Sequence, residues 1–224
     1  MEDYLTDRER VDWLRATVKE YLPWVLAGLA IAVAVLVGIR QFQAWQLRQG
    51  VASSQKYSTG LDALSRADRD SAIRISNELK SSYGHGPYAD LMEFAIARYD
   101  VETKQLDDAA RRLEALERSA ADQEMRVVAR LRLARVERAA GKLDAALTTL
   151  AGVPAGSGSA AFLEVKGDVL ADKGDRAGAL AAWREALDSK VPGIVNRELV
   201  ELKIAALGPV PSTTVVPAPV GANP

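Results

Sequence analysis

Apolar side chains recur at helical spacing along most of the chain after residue 40, and short turns that contain Gly or Asp interrupt them. The sequence there shows no convincing alternation of apolar and polar residues, so the pattern predicts an all-α fold. Because the connections are short, neighbouring helices should pack antiparallel. The predicted helices cover residues 43–66, 70–83, 87–103, 106–120, 122–140, 143–151, 159–173, 175–188 and 194–207.

One segment near the N-terminus carries no charge. No Asp, Glu, Lys or Arg lies between Glu20 and Arg40. The 19 residues from 21 to 39 would form a helix roughly 29 Å long, which matches a bilayer hydrocarbon core of about 30 Å. We therefore predict a transmembrane segment at residues 21–40 that contacts the lipid bilayer through residues 21–39, and the helix at 43–66 is placed to continue it. Aromatic residues flank it as in an interfacial belt: Trp13, Tyr21 and Trp24 on one side, Phe42 and Trp45 on the other.

Two other interpretations of this segment are a buried core helix of a soluble protein and a cleaved signal peptide. Core helices rarely run this long without a charge. Ala30, Ala32 and Ala34 have the small-residue spacing of a cleavage site, but cleavage there would leave an apolar stretch on the mature N-terminus. The preceding region is also more acidic than basic, unlike a signal-peptide n-region. These features favour an uncleaved signal anchor.

The flanking charges bear on orientation. Basic residues on the N-terminal side slightly favour a cytoplasmic position for that side, although six acidic residues accompany them. We expect residues 1–20 to form a cytoplasmic arm and residues 41–207 a helical domain on the other side of the membrane. The basic residues are Arg8, Arg10, Arg15 and Lys19 before the segment and Arg40, Arg48 and Lys56 after it.

Three stretches of the C-terminal region superpose on one another: Lys104–Leu113, Gly141–Leu150 and Gly174–Trp183. Their first residues are 37 and 33 positions apart, and these offsets bracket the 34-residue period of tetratricopeptide (TPR) repeats. The predicted architecture is therefore one N-terminal transmembrane helix followed by a TPR-like α-solenoid of helical hairpins. The alternative is a generic helical bundle in which the spacing of alanines is a coincidence.

Small side chains occupy matching sites in the two helices of each predicted hairpin, where they allow close packing. Ala97, Ala134 and Gly167 lie seven residues before the turn, in the first helix. The second helix carries Ala109, Ala146 and Ala179, followed by the larger Leu113, Leu150 and Trp183. Stacking of such hairpins supplies the core. We expect residues 43–66 and 70–83 to cap one end and residues 194–207 the other.

In a solenoid of this type, the first helix of each hairpin lines a concave surface. The groove would be apolar with arginines in its first half and acidic in its last, which suits an extended peptide or an acidic helix of a partner. A solvated helix face with ordinary ion pairs is the alternative. The predicted groove residues are Leu91, Phe94, Arg98 and Val101, then Val128, Leu131, Arg135 and Arg138, then Glu164, Asp168 and Asp172.

Composition narrows the possible functions. The net charge is −1, which does not suggest the clustered basic face that nucleic-acid binding requires. The chain has no Cys, so disulfides and thiolate zinc sites are excluded. His85 is the only histidine and lies in a predicted turn, and the sequence has neither a Gly-x-Ser-x-Gly elbow nor a phosphate-binding loop. We predict a protein that is not an enzyme and has no cofactor, no metal and no nucleic-acid partner.

The C-terminal tail has a composition of its own. Residues 204–224 carry no charge and contain five prolines. A segment of this kind does not form a packed core. We predict that residues 208–224 form a disordered, Pro-rich extension.

Several stretches carry a resemblance to a known family: Val11–Arg15, Val37–Arg40, Leu131–Val136, Asp144–Leu150 and Gly167–Trp183. Together with the layout of anchor and hairpins, they resemble the YfgM-like ancillary subunits of the bacterial Sec translocon. The resemblance covers about residues 7–207 and is most specific from 131 to 183. The Pro-rich tail departs from the compact C-terminus of that family, so no role is assigned to it.

The resemblance implies a single-pass protein of the bacterial inner membrane, with a cytoplasmic N-terminus and a periplasmic C-terminal domain. It implies association with the SecYEG translocon and with a membrane-anchored periplasmic chaperone of the prolyl-isomerase type. The implied role is to link secreted proteins leaving the channel to periplasmic chaperones. The alternative is a membrane-tethered TPR scaffold for another cell-envelope assembly or signalling complex.

Overall fold

The structure, a computed structural model, describes residues 7–84, 86–151, 159–188 and 195–208. Every regular element in these ranges is an α-helix, which confirms the predicted all-α class. His85 and the tail from residue 209 onward lie outside the described residues. The helices are α1 (Asp7–Ser65), α2 (Arg69–Tyr83), α3 (Pro87–Glu102), α4 (Leu106–Ser119), α5 (Gln123–Ala139), α6 (Leu143–Ala151), α7 (Ser159–Asp172), α8 (Arg176–Leu187) and α9 (Arg197–Leu207).

The chain divides into two compact units, Met1–Gln55 and Lys56–Pro224. In the first unit, α1 contains the uncharged segment and continues without a break into the helix predicted at 43–66. Its side chains from Gly28 to Ile39 are all exposed. A core helix of a soluble protein would bury them, whereas a helix in lipid presents them to the acyl chains. Within the described residues, α1 is the one helix long and apolar enough to cross a membrane.

In the second unit, four inter-helix turns share one geometry. The turn residues Ala67, Lys104, Gly141 and Gly174 all have positive φ, between 60° and 82°. In each turn, the next amide donates a hydrogen bond to the carbonyl five residues earlier, the pattern of a Schellman C-cap. The N···O distances are 2.9 Å from Asp68 to Ala63, 2.7 Å from Gln105 to Asp100, 2.8 Å from Lys142 to Glu137 and 2.9 Å from Asp175 to Leu170.

The first of these turns adds a hairpin that the sequence comparison did not identify. Ala67 precedes Lys104 by 37 residues, the same offset that separates Lys104 from Gly141. Gly60 lies seven residues before this turn and buried Ala72 five after it, as in the three predicted repeats. The end of α1 and α2 therefore form a fourth copy of the hairpin and not only a terminal cap.

From α2 to α9, successive helices pack against each other, and the first helices α3, α5 and α7 also contact one another in turn. This is the neighbour pattern of a TPR-like solenoid. The small side chains predicted at the hairpin contacts are buried, as is the indole of Trp183. These buried residues are Ala97, Ala109, Ala134, Ala146, Gly167, Ala179 and Trp183.

Candidate partner-binding site

An open hollow of about 630 Å³ lies between the end of α1 and α3. Leu61 and Leu64 of α1 face Leu91 and Phe94 of α3 across it. Leu61 is exposed in this hollow, whereas Phe94 also belongs to the buried core between α3, α4 and α5. The hollow therefore has an apolar lining that begins in the core and continues to the surface.

Arg132 of α5 closes one side of this hollow. Its guanidinium carbon lies 4.6 Å from the centroid of the Phe94 ring, a cation–π distance. A second hollow, of about 270 Å³, continues on the far side of Phe94 and includes Val101, Arg98, Arg132 and Arg135. Phe94, Arg98 and Arg132 line both hollows, so we treat them as one surface, the α1–α3–α5 groove.

Three arginines converge on this groove. Partial burial, and then the positive charges of Arg135 and Arg98, hold the pKa of Arg132 below its usual value. A guanidinium nevertheless stays charged at neutral pH. Arg98 pairs with Glu102 of its own helix at 2.8 Å, and both side chains are largely exposed. Within the described residues, neither Arg132 nor Arg135 forms an ion pair, so the groove has a net positive charge.

The structure places two predicted groove residues elsewhere. Leu131 packs on the apolar cluster between α5, α6 and α7. Arg138 Nε donates to Asp172 Oδ2 at 2.6 Å, and its Nη1 donates to Asp168 Oδ2 at 3.0 Å. Arg138 therefore joins α5 to α7 and is not available as a free groove cation, unlike Arg135 three residues earlier.

The acidic residues predicted for the last part of the groove are also engaged within the chain. Lys203 of α9 donates to Glu164 Oε1 at 2.9 Å and to Asp168 Oδ2 at 3.0 Å. Asp168 is buried and also accepts a hydrogen bond from Trp183 Nε1 at 3.0 Å. These carboxylates stabilise the packing of α7, and the groove itself is basic and apolar.

The sequence comparison missed Arg132 and the contribution of α1. Arg132 lies four residues after Val128 and three before Arg135, so helical spacing alone places it on the predicted face. Tyr57, Leu61 and Leu64 likewise share one face of α1 at spacings of four and three. The sequence alone predicts that residues 43–66 form a terminal cap, so it does not predict that these side chains line the groove.

A family model described as a tetratricopeptide repeat-like domain matches residues 15–209, which include both the uncharged segment of α1 and all the hairpins. The chain belongs to this family. The match confirms the TPR-like architecture, and the shared turns and small-residue contacts are its physical basis in this chain.

Three curated relatives resemble the chain over most of its length, and each bears the name ancillary SecYEG translocon subunit. The relative from Escherichia coli K12 is 28% identical over 207 residues, which are 91% of this chain and 98% of that protein. The relative from Haemophilus influenzae is 24% identical over 83% of this chain and 90% of its own length. The relative from Aggregatibacter actinomycetemcomitans is 22% identical over 89% and 97%. No solved structure matches the chain significantly.

Proposed function

We propose that this chain is a membrane-anchored adaptor that associates with the SecYEG translocon. One observation carries the proposal: the alignment with the E. coli ancillary SecYEG translocon subunit spans 91% of this chain and 98% of that protein. Both parts that such an adaptor needs, an apolar anchor and a repeat domain, fall within the aligned length. TPR-like solenoids act through extended binding surfaces, which fits a role in protein–protein interaction.

The orientation and the second partner are further parts of the proposal. We place residues 1–20 in the cytoplasm and the repeat domain in the periplasm of a Gram-negative bacterium, with residues 21–40 as an uncleaved signal anchor. In this position the domain meets proteins as they leave the channel. We propose that it links them to periplasmic chaperones through a membrane-anchored chaperone of the prolyl-isomerase type.

Association with the translocon can be tested in an E. coli strain that lacks its own ancillary subunit. The tagged full chain is expressed there, and SecYEG is measured in the material that copurifies from gently solubilised membranes. We expect SecYEG at a level comparable to that recovered with the tagged E. coli protein. Recovery of a different envelope assembly without SecYEG would contradict the proposal and favour a scaffold role elsewhere.

A reporter fused to the C-terminus tests the orientation separately. Alkaline phosphatase is active only in the periplasm, and green fluorescent protein exported through Sec is dark there. We expect an active phosphatase fusion and a dark fluorescent fusion. The reverse pair of results would place the domain in the cytoplasm and exclude contact with periplasmic chaperones.

A further inference from the structure

The α1–α3–α5 groove combines an apolar floor with cations that are not neutralised within the described chain. Phe94 forms the centre of the floor, and exposed Leu61 extends it toward the end of α1. Arg132 and Arg135 lie on one side, without ion pairs among the described residues. An unpaired cation beside an apolar surface gains most from a carboxylate that arrives together with apolar side chains, because closure of the contact excludes water around the charges.

We propose that this groove binds an acidic amphipathic helix of a partner protein. The apolar face of that helix would lie on Leu61, Leu91 and Phe94, and its carboxylates would meet Arg132 and Arg135. A helix fits better than a strand, because the described part of the repeat domain has no sheet edge to which a strand could add. The inference deepens the proposed function and rests on it in one respect: it takes this groove as the place where the adaptor receives a partner.

Arg132 is the anchoring residue of the proposed contact. Its guanidinium stacks on Phe94, so that its side chain is held over the boundary between the two hollows. A fixed guanidinium can bind a carboxylate through two parallel hydrogen bonds, which Lys cannot provide. Arg132→Lys should therefore weaken binding although the charge is retained.

The experiment uses the full chain in nanodiscs of phosphatidylcholine, a lipid without net charge. The first probe is a fluorescent amphipathic peptide of about four helical turns with Leu on one face and Glu beside it. The second probe is identical except that every Glu is Gln. Fluorescence anisotropy should show at least about tenfold weaker binding of the Gln peptide. Raising the salt concentration from about 0.1 M to about 1 M shortens the Debye length from about 10 Å to about 3 Å. This change should weaken binding of the Glu peptide more than binding of the Gln peptide.

Variants of the chain locate the contact. Arg132→Gln and Arg135→Gln should each weaken binding of the Glu peptide several-fold. Arg184→Gln, at an exposed position on α8, is the matched control and should leave that binding unchanged. Circular dichroism confirms that each variant is folded. Equal binding of both peptides, absence of binding, or equal effects of the Arg132 and Arg184 variants would overturn the inference.

Copurification of SecYEG with the same variants separates this inference from the proposed function. If SecYEG copurifies but the Glu peptide does not bind, the acidic-helix inference is wrong and the adaptor role stands. If SecYEG does not copurify with the unaltered chain, the adaptor role is wrong. In that case selective binding of the Glu peptide still supports the chemistry assigned to the groove.

Discussion

The indole ring of Trp183 on α8 lies in the space that a Cβ atom on Gly167 of α7 would occupy. Trp183 Nε1 donates hydrogen bonds to the Glu164 carbonyl at 3.1 Å and to Asp168 Oδ1 at 3.0 Å. These two bonds fix the orientation of the ring, so it cannot turn aside for a larger neighbour. The close contact between α7 and α8 therefore depends on the absence of a side chain at position 167.

Gly167→Ala should destabilise the repeat domain by about 1–3 kcal/mol, the usual cost of overpacking a well-packed core. Gly60→Ala is the matched comparison, because its added Cβ meets the flexible Met92 side chain, which can move. We expect Gly60→Ala to lose less stability than Gly167→Ala. Thermal or urea unfolding measures both, and a Gly167→Ala domain as stable as the unaltered chain would contradict the fixed-ring explanation. Trp183→Leu should reduce the cost of Gly167→Ala in a double-mutant cycle.

Buried Asp168 joins its own helix, α7, to α5, α8 and α9 through one carboxylate. It accepts hydrogen bonds from Arg138, Lys203 and Trp183. Asp168→Asn should cost about 2 kcal/mol, because two partly buried cations each lose one of their two carboxylate partners and hydrogen bonds to a charged group are lost. Asp172→Asn is the control: this residue also pairs with Arg138 but is exposed, so its loss should cost less than about 1 kcal/mol. Equal urea midpoints for the two variants would show that the buried network adds no stability.

The sequence was sufficient to predict most of the repeat architecture. Turn residues and small side chains recur at fixed offsets, and these local requirements are visible in a single sequence. The hairpin of α1 and α2 escaped detection because two of its positions differ in type. Ala67 takes the left-handed turn position where the predicted repeats carry Lys or Gly. Buried Ser76, which donates to Glu93 at 2.7 Å, stands where those repeats carry Leu or Trp.

The groove could be predicted only in part from the sequence. The reason differs from the one that applies to the hairpin of α1 and α2. Helical spacing identifies a face of α5, but it does not say which neighbouring helix each side chain meets. Arg135 and Arg138 lie on the same face by spacing, yet Arg138 reaches α7 and Arg135 remains beside α3. That distinction depends on tertiary packing. The carboxylates that engage Arg138 come from positions 30 and 34 residues later, where no local pattern reveals the pairing.

Replacement of Glu137 by Gln should stabilise the domain in a pH-dependent way. Burial raises the pKa of Glu137, the hydrogen bond from Thr149 opposes that rise, and the charges of Glu114 and Glu117 add to it. Because its pKa is raised in the folded state, its favourable contribution is present below the unfolded pKa of about 4.3 and is lost as pH rises through the folded value. Glu137→Gln should therefore raise the melting temperature at pH 7.

Melting temperatures measured over a range of pH provide the control for this prediction. Well below the unfolded pKa of about 4.3, at about pH 3, Glu137 binds a proton in both states, and the Gln variant and the unaltered chain should melt at nearly the same temperature. Glu185→Gln, at an exposed position on α8, should have little effect throughout. A melting-temperature difference for Glu137→Gln that does not change with pH would exclude ionisation as its cause.

Charge reversal in the groove should separate binding from folding. Arg98→Glu combined with Arg135→Glu replaces two exposed cations by carboxylates beside Arg132 and should abolish capture of an acidic partner, while the helical circular dichroism is retained. Photo-crosslinking from position 91 in membranes measures the capture. Arg138→Glu should behave differently, because it places an anion against Asp168 and Asp172 and should lower the urea midpoint. If the double variant captures its partner at full yield, the groove is not the binding surface, since two repelling charges would stand in the path of the partner's carboxylates.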